Sequence, residues 1–125
     1  MLFRSGLPPI DGRLTAREVL RDWKLDCELV TLSACQTGLG QHALGEGYMG
    51  FAQTLLLAGS RGVCLSLWKV DDEGTRRLME GFYERLQAGD DLARALQASQ
   101  VAMIEDAAWS HPWYWAAFVL TGEWR

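Results

Sequence analysis

The run Ser33-Ala34-Cys35-Gln36-Thr37-Gly38 holds a cysteine with what a thiol nucleophile needs. It follows an apolar stretch and precedes a glycine-rich turn, so it combines exposure with backbone N–H donors that lower a thiol pKa. Such a thiolate attacks electrophilic carbon and wants an imidazole in reach, as base and then as acid for the leaving group. Two histidines are present, His42 and His111. His42 lies seven residues past Cys35 in the glycine-rich segment, where it can approach the thiol or simply be surface. His111 precedes Pro112 amid Trp109, Trp113, Tyr114 and Trp115, a setting that suits orienting a turn or packing more than reacting.

A second group of candidates is Trp68-Lys69-Val70-Asp71-Asp72. One of the two aspartates is expected to cap a helix, and the other improves the helix-dipole energetics or lines a pocket for a basic or polar side chain. Cys27, read as preceding a strand, and Cys64, within one, are expected to be small buried hydrophobes. Gly38-Leu39-Gly40-Gln41-His42-Ala43 satisfies G-x-G-x-x-A, the turn of a dinucleotide site, but residues 33–37 intervene after the strand, the helix starts late, and Asp71 and Asp72 lie too far on.

The elements that must position these residues follow from local signals. Pro8-Pro9 and Asp11-Gly12 make the start loop and turn. Thr15 with Glu18 forms a capping box for a helix over 16–23. Residues 28–33 form an apolar strand without alternation, as expected when both faces are covered. Five glycines between Gly38 and Gly50 imply loop, followed by a helix over 46–58, apolar nearly all round and therefore buried, that ends at Gly59. Residues 62–68 form a second buried strand, parallel to the first. A helix capped at Asp71 or Asp72 and ended at Gly89 follows, then one capped at Asp91 with an inward stripe of Leu92, Leu96, Ser99 and Met103. The tail from Trp109 reads as a turn at His111-Pro112, then a strand or sheet-covering segment, then Gly122, with its aromatic residues mostly core. In such an open sheet, reacting groups gather at the carboxyl ends of parallel strands.

Composition narrows the function. With 49% hydrophobic and 22% charged residues among 125, the chain reads as one ordinary globular domain. No run approaches the roughly 20 apolar residues of a membrane span, no secretory leader is visible, and a cytoplasmic location is the default. A net charge of -4, two lysines and scattered arginines argue against nucleic-acid binding. Three cysteines without C-x-x-C spacing argue against a zinc knuckle and a disulfide framework.

Several segments together resemble the C-terminal part of a CHAT domain, of the caspase-like and separase-like cysteine peptidases. They are residues 29–38 (Leu-Val-Thr-Leu-Ser-Ala-Cys-Gln-Thr-Gly), Gly45-Glu46-Gly47, Ala58-Gly59, Ser66-Leu67-Trp68 with Val70-Asp71-Asp72, and residues 111–122 (His-Pro-Trp-Tyr-Trp-Ala-Ala-Phe-Val-Leu-Thr-Gly). The resemblance implies a caspase-like three-layer α/β/α sandwich with a mainly parallel sheet. It implies that Cys35 is the nucleophile of an endopeptidase, with Ser33, Ala34, Gln36, Thr37 and Gly38 as its nucleophile and oxyanion loop. It places Trp68, Asp71 and Asp72 near the substrate pocket, and it implies no metal and no cofactor.

The family's histidine lies in a His-Gly motif upstream of the cysteine, and no histidine precedes Cys35 here. The expectation is a partial domain over residues 1–125 that lacks its first strands. Such a chain is inactive alone, poorly soluble or paired with another polypeptide, because an unpaired edge and apolar surface are left. The expected partners are a protein or peptide substrate and a helical-repeat region or another segment supplying the missing half. Two alternatives stand beside the peptidase: a non-catalytic caspase-like interaction or regulatory module, and a nucleotide-binding domain using Gly38 and Gly40.

Overall fold

The computed structural model describes residues 16–33 and 46–123. In chain order these form α1 (Ala16–Asp22), β1 (Cys27–Leu32), α2 (Glu46–Leu57), β2 (Ser60–Ser66), α3 (Asp72–Gln87), α4 (Leu92–Glu105), α5 (Pro112–Trp115) and β3 (Phe118–Gly122). The sheet order is β1-β2-β3. β1 runs parallel to β2, with Leu29 opposite Gly62 and Leu32 opposite Leu65, while β3 runs antiparallel to β2, with Phe118 opposite Ser66.

Because side chains alternate along a strand, the middle strand feeds two separate cores. Val63 and Leu65 pack with Val19 of α1 and Ala52 and Leu55 of α2, joined by Val30 and Leu32 of β1. Cys64 and Phe118 pack with Leu78 and Phe82 of α3 and Leu92, Ala95, Leu96 and Met103 of α4, joined by Leu29 and Leu120. Helices therefore lie on both faces of the sheet. Leu92, Leu96, Ser99 and Met103 are all buried, as their spacing predicts.

The sheet is mixed, which corrects the expectation of a mainly parallel one. The physical reason lies in α3 and α4, an antiparallel helix pair joined by a four-residue turn. The first carries the chain away from the carboxyl end of β2 and the second returns it there, so the next strand must run the other way. The hydrogen bond from Leu67 N to Ala117 O, 2.8 Å, marks that return. Gln100 of α4 fastens the corner, its side-chain amide donating to the carbonyls of Trp115 and Phe118 at 3.0 and 3.3 Å.

Two further expectations are adjusted. α2 is not enclosed all round: one face is buried, while Leu57 is 77% exposed. A helix lying as a single layer on a sheet covers only the side it turns inward. β2 also starts two residues earlier than expected, at Ser60, whose hydroxyl donates to Gly62 O, and it ends before Trp68. Among the described residues no helix is long and apolar enough to cross a membrane. Thr15, the proposed cap of α1, lies outside the described residues.

Gly59 and Gly89, expected as helix ends, both adopt positive φ, +118° and +101°. They differ in surroundings. A Cβ at Gly59 would fall 1.8 Å from the Leu25 carbonyl oxygen, whereas one at Gly89 would meet nothing within 4 Å. Gly89→Ala is therefore expected to lower stability by the backbone term alone, about 1–2 kcal/mol. Gly59→Ala adds a clash with main chain and should lose clearly more, both read by chemical denaturation. Asp71→Ala, which removes the N-cap of α3, should cost about 1 kcal/mol in the same assay.

Candidate functional site

The parallel register brings the carboxyl ends of β1 and β2 side by side, since Leu32 lies opposite Leu65. One step further, Ser33 falls beside Ser66. Ser33 is exposed and Ser66 is buried, with 7% of its surface accessible. The segment expected as the nucleophile loop (Ala34, Cys35, Gln36, Thr37 and Gly38), the second glycine Gly40 and His42 lie outside the described residues. The expectations resting on them keep their sequence basis alone.

On the β2 side, Trp68 is half-buried and stacks on Trp113, with ring centroids 5.6 Å apart and planes inclined by 27°. Its indole N–H donates to Trp113 O at 3.0 Å. This contact ties the segment after β2 to α5, and the sequence alone did not reveal it, because the two indoles are 45 residues apart. Val70 turns into the α3–α4 core. Asp71 is the N-cap of α3, accepting from Gly74 N through its side chain. Asp72 is the first helical residue and is exposed, next to exposed Glu73. Glu73 pairs with Arg76, and that hydrogen bond holds its carboxyl below the usual range. The strand ends thus meet an acidic helix start, with Asp72 and Glu73 favourably placed against the helix dipole.

His111 caps α5. Its Nδ1 accepts from Trp113 N at 3.1 Å, with Pro112 at the first helical position, where a missing N–H costs nothing. The role expected for His111, orienting the turn, is what the geometry gives. Of the surrounding aromatics, Trp109, Tyr114 and Trp115 pack against the core, and Trp113 remains 50% exposed.

Cys64 is fully buried, and desolvation pushes its thiol up to about 12. It is the inert core thiol expected. Cys27 is the first residue of β1 rather than a residue before it, partly buried, and stands at the other end of the sheet from Ser33. Among the described residues no three acidic, histidine or cysteine side chains gather as metal ligands. A shallow concavity of about 390 Å³ lies where α3 ends and α4 begins, lined by Arg85, Asp90, Arg94, Gln97, Ala98 and Val101. It is at the far end of the helix pair from Asp71, and its arginines already pair with Asp90 and Asp91.

Comparison with known proteins identifies the family. The family description "CHAT domain" matches residues 2–123. Tetratricopeptide repeat protein 28 of Mus musculus is 30% identical over 118 residues, and that of Homo sapiens is 32% identical over 119. In each case the match covers 94% of this chain, and the chain spans 5% of the relative's length. No solved structure matches. A match to the family over nearly the whole chain is decisive: this chain belongs to the CHAT domain family.

Proposed function

We propose that the chain is the nucleophile-bearing portion of a CHAT-type cysteine endopeptidase with a caspase-like α/β/α fold. Cys35 is its nucleophile, and a histidine from a His-Gly segment that this sequence does not contain, supplied by another segment, completes the site. The observation that carries this reading is the parallel register of β1 and β2. It ends β1, at Leu32 and Ser33, at the same end of the sheet as Trp68 and Asp71, within a chain matched to the family over residues 2–123. Chemically, the Cys35 thiolate attacks the scissile carbonyl carbon, and the C–N bond breaks as the imidazolium gives its proton to the leaving amine. Water then hydrolyses the thioester, releasing the acid and regenerating the thiolate. Backbone N–H groups of the 33–38 loop hold the oxyanion.

The substrate is a protein or peptide, and Trp68, Asp71 and Asp72 border its pocket. β1 is an edge of the sheet among the described residues, so a strand from the histidine-bearing segment has backbone groups to pair with. Full-length relatives named for tetratricopeptide repeats support a helical-repeat region as a second partner. The expected setting is cytoplasmic. Without the histidine, loss of general acid and base catalysis slows turnover by about 10²–10⁴. One observation favours the alternative, a non-catalytic interaction or regulatory module: the histidine among the described residues, His111, is committed to capping α5.

Alkylation by iodoacetamide across pH, read at each cysteine by peptide mass spectrometry with Cys35→Ala as control, separates the two readings. A preorganised nucleophile gives Cys35 labelling roughly tenfold faster at pH 6.5 than an unfolded-chain thiol, whose pKa is about 8.5. Cys64 stays unlabelled until the chain unfolds, because its thiol is pushed up to about 12. Labelling of Cys35 no faster than in the unfolded chain removes the peptidase reading and leaves the interaction module.

A further inference from the structure

The outer face of α4 carries a pattern that the packing of the domain does not use. Leu92, Leu96, Ser99 and Met103 turn inward, while Arg94, Ala98, Val101 and Glu105 recur at i, i+4, i+7 and i+11 on the opposite side. Val101 is 43% exposed, and Arg94 and Glu105 are exposed as well. The two charges stand at the wrong ends of the helix for its dipole, a cation in the first turn and an anion in the last. Arg94 reaches Asp91 only at 3.5 Å, so its guanidinium has donors to spare, and Glu105 pairs with no described residue. Beside the first half of this face lies the concavity of about 390 Å³ lined by Arg85, Asp90, Arg94, Gln97, Ala98 and Val101. Turned end for end about the midpoint between Ala98 and Val101, the stripe is its own complement: cation meets anion, and small side chain meets large.

We propose that the outer face of α4 binds a second copy of this chain, the two α4 helices packing antiparallel across a two-fold axis. Arg94 of each copy then meets Glu105 of the other, and Val101 of each packs over the other's Ala98, whose single methyl leaves room for it. A carboxylate arriving at Arg94 also comes near Arg85, across the concavity. Charges that oppose the dipole of their own helix lie favourably against the dipole of an antiparallel neighbour, so pairing turns both misplaced charges to advantage. With 14 residues α4 spans about 21 Å, a small contact that supports a weak, reversible dimer. The inference does not rest on the peptidase reading, since this face uses neither Cys35 nor the carboxyl ends of the strands.

The test is sedimentation velocity of the full chain over a concentration series, with reductant present so that cysteines do not cross-link copies. A reversible dimer with a Kd of about 10–100 µM is expected. Arg94→Glu and Glu105→Arg each set like charges opposite one another and should weaken the dimer about tenfold. The double variant, Arg94→Glu with Glu105→Arg, restores opposite charges and should return Kd to within about threefold of the parent. Each single change also places its charge favourably for the dipole of α4, so the thermal unfolding midpoint should hold or rise, which separates a lost contact from a lost fold. A chain that stays monomeric to about 1 mM overturns the proposal and leaves this face to a different partner. A dimer indifferent to both single changes overturns it too, assigning the contact to another surface such as a sheet edge, as does a double variant no tighter than the singles.

Discussion

Between Gly62 and Ser66, strand β2 has no exposed residue, and both of its edges are paired. The rest of the molecule hangs on this. A strand whose two faces must both be covered needs helices on both sides, and alternation assigns Val63 and Leu65 to one set and Cys64 to the other. Neither core is large alone. Val19, Ala52 and Leu55 close one, and Leu78, Phe82 and the buried stripe of α4 close the other. A polar substitution at Val63 or Cys64 would therefore damage a helix layer and the sheet at once, since burial of an unpaired polar group adds its desolvation cost to lost packing.

The same strand organises the functional end. Its parallel neighbour ends at Ser33 beside it, and the returning α3–α4 pair delivers His111, Trp113 and the start of β3. Trp68 is where the two routes meet, stacked on Trp113 and hydrogen-bonded to its carbonyl. Asp71 is thereby fixed twice, by its cap to Gly74 and by a neighbouring segment that α5 holds in place. The close fit around Gly74, where a Cβ would fall 2.7 Å from Asp71 Oδ1 and 3.1 Å from Tyr114, shows how tightly these pieces assemble.

Much of this was legible in sequence because the signals were local. Asp71 and Asp91 as caps, Gly59 and Gly89 as terminators, and the spacing of Leu92, Leu96, Ser99 and Met103 each depend on chemistry within a turn or two. The direction of β3 was not legible, because residues 109–122 state that something apolar follows a turn but not which way the chain faces when it arrives. That is decided by the helix pair before it. The four-residue helix α5 is hidden for a similar reason: its cap is a histidine, whose imidazole does the job more often done by serine or aspartate. The stacking of Trp68 on Trp113 was not legible, because it joins indoles 45 residues apart. Ser66 is one hydroxyl in an apolar strand, and only the structure shows that it is buried there. The loop expected to carry the nucleophile stands on sequence resemblance alone.

The pairing of β2 also sets the order in which the chain can fold. Its partner on one side lies 33 residues earlier, Leu29 to Gly62, and on the other 56 residues later, Cys64 to Leu120. Closing such loops must precede any reward from the strand pairs, which slows folding relative to local contacts. The α3–α4 hairpin needs only a four-residue turn and carries caps at both of its starts. It is the part that can form early and offer Leu78, Phe82 and Leu96 as a surface on which β2 settles. The sheet is then the last element completed, so kinetic traps in this domain concentrate at its long-range strand pairs.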